Sequence, residues 1–146
     1  MTTHPFFRVA VAQYDIGEFR HWDQYAAKLA QWTRRAVDQG AQLLVFPEYA
    51  SMELVSLVHA HPGLDLAAQL HALQQHLLAF IDLHRTLACT HQVYIVAASF
   101  PVCTQRGIYH NRVHVFSPHG AMGVQDKLHM TRFETERWGI SAAQDI

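Results

Sequence analysis

The sequence predicts an α/β domain, and three observations predict it. Short apolar runs of strand length alternate with longer stretches in which apolar residues recur at helical spacing. The later part instead shows apolar runs separated by Gly- and Pro-containing turns, the pattern of antiparallel hairpins. Half of the 146 residues are hydrophobic and no tract is of low complexity, which suffices for a single domain, 1–146, with a sizeable core.

In chain order, residues 7–13 are a strand candidate, and residues 22–39 place Tyr25, Ala26, Leu29, Trp32, Ala36 and Val37 close to helical spacing before Gly40 stops the helix. Residues 42–46 form a second strand candidate, followed by a mostly apolar stretch over 50–59 and a turn at His61-Pro62-Gly63. A longer helix begins near Leu64 or Asp65, with Asp65 able to cap it, and carries Leu66, Leu70, Leu73, Leu77, Phe80, Ile81 and Leu87 on its apolar positions. Residues 93–100 are strongly β-like and pair naturally, across a turn at 101–107, with a strand at 108–116. Ser117-Pro118-His119-Gly120 is a second turn, after which residues 121–126 return as a strand that delivers Lys127 at its end.

Chemistry concentrates at two strand ends. The run Leu43-Leu44-Val45-Phe46-Pro47-Glu48-Tyr49 drives a buried-looking strand straight into a carboxylate, and an ionised Glu there loses hydration unless a cation or a proton compensates. Lys127, far downstream and again at a strand end, is the strongest candidate partner. Each has a bland counterpart. Glu48 alone could cap the following helix, worth roughly 0.3 to 1 kcal/mol, and Lys127 or Glu134 alone would be a solvated side chain.

In their order and spacing, Phe46-Pro47-Glu48, the strand Tyr109-His110-Asn111-Arg112 and the stretch from Asp126-Lys127 to Phe133-Glu134 resemble the N-terminal portion of the nitrilase superfamily, the carbon-nitrogen hydrolases. The resemblance runs from Arg8 to about Ile140. It implies the N-terminal part of a four-layer α-β-β-α sandwich. It also implies a Glu–Lys–Cys mechanism on a small-molecule amide or, less expectedly, a nitrile. By position, Glu48 matches the general base, Lys127 the charge-stabilising lysine and Glu134 a second, positioning glutamate, with Tyr49, Asn111 and His129 expected on the substrate side.

The cysteine that this resemblance implies would follow a further strand beyond Lys127, and the chain ends at Ile146. The sequence therefore reads as a C-terminally truncated hydrolase domain, inactive alone. Neither thiol present replaces the missing one: Cys89 is expected as a small buried residue and Cys103 as a loop or edge-strand thiol, and both precede Lys127. A non-catalytic binding or interaction module, or an inert truncated product, is the alternative.

Other classes find no support. A formal net charge of -1 with interspersed signs gives no reason to invoke nucleic acid. No apolar run approaches the roughly 20 residues of a membrane span, and residues 1–8 lack a secretory core, so a cytoplasmic protein is expected. The 12 histidines include His59 with His61 and His110 with His114, but no pair has a third ligand, and no metal site is expected. Glycine-rich nucleotide motifs are missing, so no cofactor is expected either. A half sandwich would expose an apolar sheet face and could self-associate into a homo-oligomer.

Overall fold

The computed structural model describes residues 6–58 and 65–144. The turn expected at His61-Pro62-Gly63, and with it His59, lies outside these residues. One mixed sheet carries helices on a single face. Its strands are β1 (Val9–Val11), β2 (Leu43–Val45), β3 (Tyr94–Val96), β4 (Phe100–Cys103), β5 (Tyr109–Phe116) and β6 (Met122–Asp126). β1, β2 and β3 run parallel, while β5 is antiparallel to β3, β4 and β6.

The helices are α1 (Trp22–Asp38), α2 (Leu66–Leu73) and α3 (Leu77–His91), with a 3-10 helix at Ala50–Leu57 and a π-helix at Glu134–Trp138. Asp65 caps α2, its carboxylate accepting from the Ala68 N–H at 2.8 Å. The expected long helix is interrupted by a 3-10 turn, Gln74–His76. Gln74 has another use for its amide: Nε2 donates to the carbonyls of Leu70 and Pro101, both at 2.8 Å, and Oε1 accepts from the Cys103 N–H at 2.9 Å. It thereby satisfies backbone groups of β4 that no further strand pairs.

The strand expected over 93–100 is also divided. β5 pairs Phe116 with Ile95 and Arg112 with Phe100, so five residue steps on one arm oppose four on the other. β3 and β4 are thus two pieces of one hairpin arm separated by a one-residue bulge near Ala97-Ala98-Ser99. Apolar alternation continues across such a bulge, which is why the sequence reads as one strand.

Side-chain alternation decides which face is covered. Leu44, Ile95 and Phe116 point to the helices and are at most 3% exposed, packing with Leu29, Phe80 and Ala88. The opposite face presents two registered rows, Val9-Leu43-Tyr94 and Val11-Val45-Val96-Val115, on which no described element packs. Val11 is 75% exposed and Val9 47%. Among the described residues no helix is long and apolar enough to cross a membrane.

Candidate active site

Glu48 and Tyr49 leave the C-terminal end of β2 in a tight turn. Tyr49 has a left-handed φ of 58°, uncommon for an aromatic residue, and is held there by its N–H donating to Ser99 Oγ at 2.9 Å. Ser51 Oγ donates to the Ser99 carbonyl at 2.6 Å, so the bulge between β3 and β4 is the abutment against which the Glu48 turn is built. Sequence reasoning missed Ser99, because a bulge leaves no signature in apolar alternation.

Lys127 leaves β6 beside it. The Lys127 N–H donates to the Asn111 carbonyl at 2.9 Å, and the Lys127 carbonyl accepts from the Ala143 N–H at 3.0 Å. With its backbone fixed on both sides, Nζ reaches Glu48 Oε1 at 2.8 Å and the two Glu134 oxygens at 2.9 and 3.0 Å. Glu48, Lys127 and Glu134, separated by up to 86 positions, converge on one cluster of two carboxylates and one ammonium.

The carboxylates sit differently. Glu134 is buried and accepts from Tyr49 OH at 2.6 Å, from the Thr131 N–H and Oγ1, both at 2.8 Å, and from Lys127. Burial alone would raise its pKa, but these donors outweigh burial and hold it at about 2. The Thr131 contacts form a reciprocal capping box, with the Glu134 N–H returning to Thr131 Oγ1 at 3.3 Å. The Thr-x-x-Glu spelling of residues 131–134 is the signal that would have found Thr131. Glu48, in contrast, has a half-exposed side chain, with one oxygen shared by Lys127 and the Asn111 Nδ2 donor at 2.7 Å.

The residues expected on the substrate side divide. Tyr49 and Asn111 join the cluster, each with its polar hydrogen on a carboxylate: the phenol on Glu134, the amide on Glu48. Burial, together with the Glu134 carboxylate, pushes the Tyr49 phenol well above its usual range, so it acts as a donor. Trp138 packs edge-on against the Tyr49 ring at 4.9 Å. His129 is exposed in the turn after Lys127, with no hydrogen bond or ion pair to the cluster. The hydrogen bond to Glu48 leads in raising the Lys127 pKa, against the smaller effect of burial, so Nζ stays cationic.

A cleft of about 290 Å3 opens beside the cluster, with Phe46, Ala97 and Val113 as apolar lining and Ser99, Asn111 and Gln125 as polar lining. Gln125 was not anticipated from the sequence. Neither cysteine lines the cleft: Cys89, expected to be buried, is half-buried on α3, whose packing leaves its thiol at the Gly120 turn, and Cys103 ends β4. No group of three or more His, Cys, Asp or Glu among the described residues could hold a metal ion.

The structure thus places a Glu–Lys–Glu cluster at the strand ends of a single-faced α/β sheet. The chain belongs to the carbon-nitrogen hydrolase family, whose model matches residues 8–142. It is 29% identical over 139 residues to the probable hydrolase YhcX of Bacillus subtilis (strain 168), covering 95% of this chain and 26% of that protein. Among solved structures it is similar to a carbon-nitrogen hydrolase from Helicobacter pylori G27, with a TM-score of 0.71 at 21% identity, over 94% of this chain and 45% of that one. It is also similar to an amidase from Nesterenkonia sp., with a TM-score of 0.61 at 19% identity, over 95% of this chain and 49% of that one. Another structure of that amidase is a cysteine-to-alanine mutant in complex with butyramide. The chain thus spans about half the length of the solved proteins it matches and about a quarter of YhcX.

Proposed function

We propose that these residues form the acid–base half of a hydrolase of non-peptide carbon-nitrogen bonds, acting on a small amide in preference to a nitrile. The thiol nucleophile is to be contributed by polypeptide outside the 146 residues. The observation that carries this reading is the convergence of Glu48, Lys127 and Glu134 within hydrogen-bond distance beside a cleft. Support for the amide comes from the Nesterenkonia amidase and its butyramide complex, and from the Lys127 ammonium, placed to meet an oxygen that gains charge. Two free cysteines suit the reducing cytoplasm in which such a thiol stays active.

In the mechanism, Glu48 removes the proton of the incoming thiol, and the thiolate attacks the amide carbon. The carbonyl π electrons move to oxygen, and Lys127 exchanges a carboxylate contact for the new oxyanion. Collapse of the adduct breaks the carbon-nitrogen bond, with Glu48-H giving its proton to the departing amine and leaving a thioester. Glu48 then deprotonates water, which attacks the thioester to release the acid and restore the thiol. Glu134, permanently ionised and tied to Tyr49 and Thr131, keeps Nζ in place throughout.

The test is activity with and without the missing layer. Alone, the chain should hydrolyse amides or nitriles no faster than its Glu48→Gln variant, since the covalent route needs the thiol. Joined to a C-terminal half-domain carrying a strand-borne cysteine, it should gain amide hydrolysis that Glu48→Gln and Lys127→Ala each remove. Hydrolysis that passes through a thioester on Cys89 or Cys103 would overturn the reading.

A further inference from the structure

Asn111 lies within β5, is 3% exposed and touches both members of the Glu48–Lys127 pair. Its main-chain carbonyl accepts the Lys127 N–H at 2.9 Å, and its Nδ2 donates to Glu48 Oε1 at 2.7 Å. Lys127 Nζ reaches the same Oε1 at 2.8 Å, so two donors converge on one oxygen while Oε2 accepts from no described residue. The other end of the amide is unsatisfied: Asn111 Oδ1 is buried with no hydrogen-bond partner among the described residues. Turning the amide over would not mend this, because Oδ1 would then meet a carboxylate oxygen, acceptor against acceptor. A buried unpaired carbonyl costs stability, and an apolar side chain of similar size would avoid that cost. Asparagine at this position is therefore explained by its donor, and the donor serves Glu48.

We propose that Asn111 is a positioning residue for the base: it holds Glu48 by Oε1, from a paired strand, and so reserves Oε2 for the thiol proton. This role rests on the hydrolase reading, whereas the hydrogen bonds beneath it do not. Lys127 cannot hold Oε1 alone through the reaction, since in that mechanism Nζ exchanges a carboxylate contact for the new oxyanion. Asn111 Nδ2 is the donor that stays on Oε1 during the exchange. It keeps the carboxylate from rotating when Glu48 must pass its proton to the departing amine. The main-chain bond from Lys127 to the Asn111 carbonyl fixes the base and the lysine to one residue of one strand, so their spacing does not depend on loop geometry.

Two measurements test it, one of the contact and one of the role. In the 146-residue chain, the Asn111 side-chain amide signals in proton–nitrogen NMR should move as carboxylates are protonated, and should stop moving in Glu48→Gln. Lys127 at the end of β6, Glu134 in the π-helix and the Tyr49 phenol also surround Glu48, and all three remain in that variant, so only the lost carboxylate separates the two titrations. Signals that titrate alike in both proteins would overturn the proposal. The role is read in the chain joined to a C-terminal half-domain carrying the cysteine, with butyramide as substrate. Asn111→Leu should lower kcat about 100-fold with KM unchanged, as expected when a reacting group loses its orientation. The acid limb of the kcat/KM profile should move to higher pH, because a donor to the carboxylate is gone, and the thermal midpoint should not fall. Asn111→Asp, which keeps the shape but replaces the donor by an acceptor, should lower kcat at least as far. A raised KM with kcat intact, or a midpoint that falls in Asn111→Leu, would make Asn111 a substrate-binding or a structural residue and overturn the proposal. An unsubstituted joined protein without amide hydrolysis would sink the hydrolase reading and this role together, whereas full activity in Asn111→Leu would sink the role alone.

Discussion

Glu134 shows how much of this site is held by single hydrogen bonds. Its carboxyl titrates at about 2 because the donors from Tyr49, Thr131 and Lys127 outweigh the burial that would raise it. Tyr49→Phe removes the phenol donor at 2.6 Å while keeping the ring against Trp138. Carbon-13 NMR titration of the Glu134 carboxyl should then show its pKa moving up, and the folded state should lose about 1 to 3 kcal/mol, the worth of a hydrogen bond to a charged group. A carboxyl that titrates as before would show that Thr131 and Lys127 suffice. The same geometry separates Glu134 from Glu48: one carboxylate is buried and saturated with donors, and the other is half-exposed with one oxygen shared by Lys127 and Asn111.

At the scale of elements, the bulge between β3 and β4 links the sheet to the site. Ser99 accepts the Tyr49 N–H and offers its carbonyl to Ser51, holding the left-handed residue that turns the chain after Glu48. Ser99→Ala leaves that N–H unpaired in a half-buried place, and chemical denaturation should register a loss of about 1 to 3 kcal/mol. A second device anchors the 3-10 helix that follows. The Glu53 carboxylate, wholly buried, accepts from Tyr14 OH, from the Gly17 N–H at 2.9 Å and from Lys28 Nζ at 2.8 Å, clasping α1 and the loop before it to the 3-10 helix. Removing one partner of such a pair leaves a buried charge uncompensated, so Lys28 is structural in a way that its place in an amphipathic helix conceals.

For the whole molecule, pH sets stability through two imidazoles beneath the sheet. His84 is fully buried and His114 nearly so, and their Nε2 and Nδ1 atoms, respectively, have no hydrogen-bond partner. Burial pushes both down to about 4, helped at His84 by the neighbouring His114 and at His114 by Arg112, against the Asp126 carboxylate. Between pH 4 and the ordinary value of 6.5 the unfolded chain binds more protons than the folded one. Stability is therefore complete above about 6.5 and lost as pH falls toward 4, on the order of 3 kcal/mol per imidazole at the full shift. Urea midpoints measured across that window should fall with acidification, and the slope should shrink in His84→Leu. A flat profile between these limits would refute the assignment.

Much of this molecule was legible in the linear sequence because its signals are local. The helical period over 22–39, the cap at Asp65, the turn signals at 101–107, of which 101–103 fold as part of β4, and at 117–120, and the strand ends at Glu48 and Lys127 depend on residues a few positions apart. The ordered motifs that resemble carbon-nitrogen hydrolases added which residues to watch, and the fold matches that family. Other decisions needed the folded chain. Gln74 breaks the second helix to serve β4, Ser99 sits in a bulge, and Asn111 and Tyr49 turn their donors to carboxylates, while His129 remains apart. Each rests on a partner 27 to 85 positions away, brought near only by sheet register and helix packing, and no periodicity in the sequence encodes such a distance. Which sheet face stays bare was decided in the same way: β1, β2 and β3 are apolar on both faces, and only the side on which the connecting helices settle distinguishes the core from the open surface.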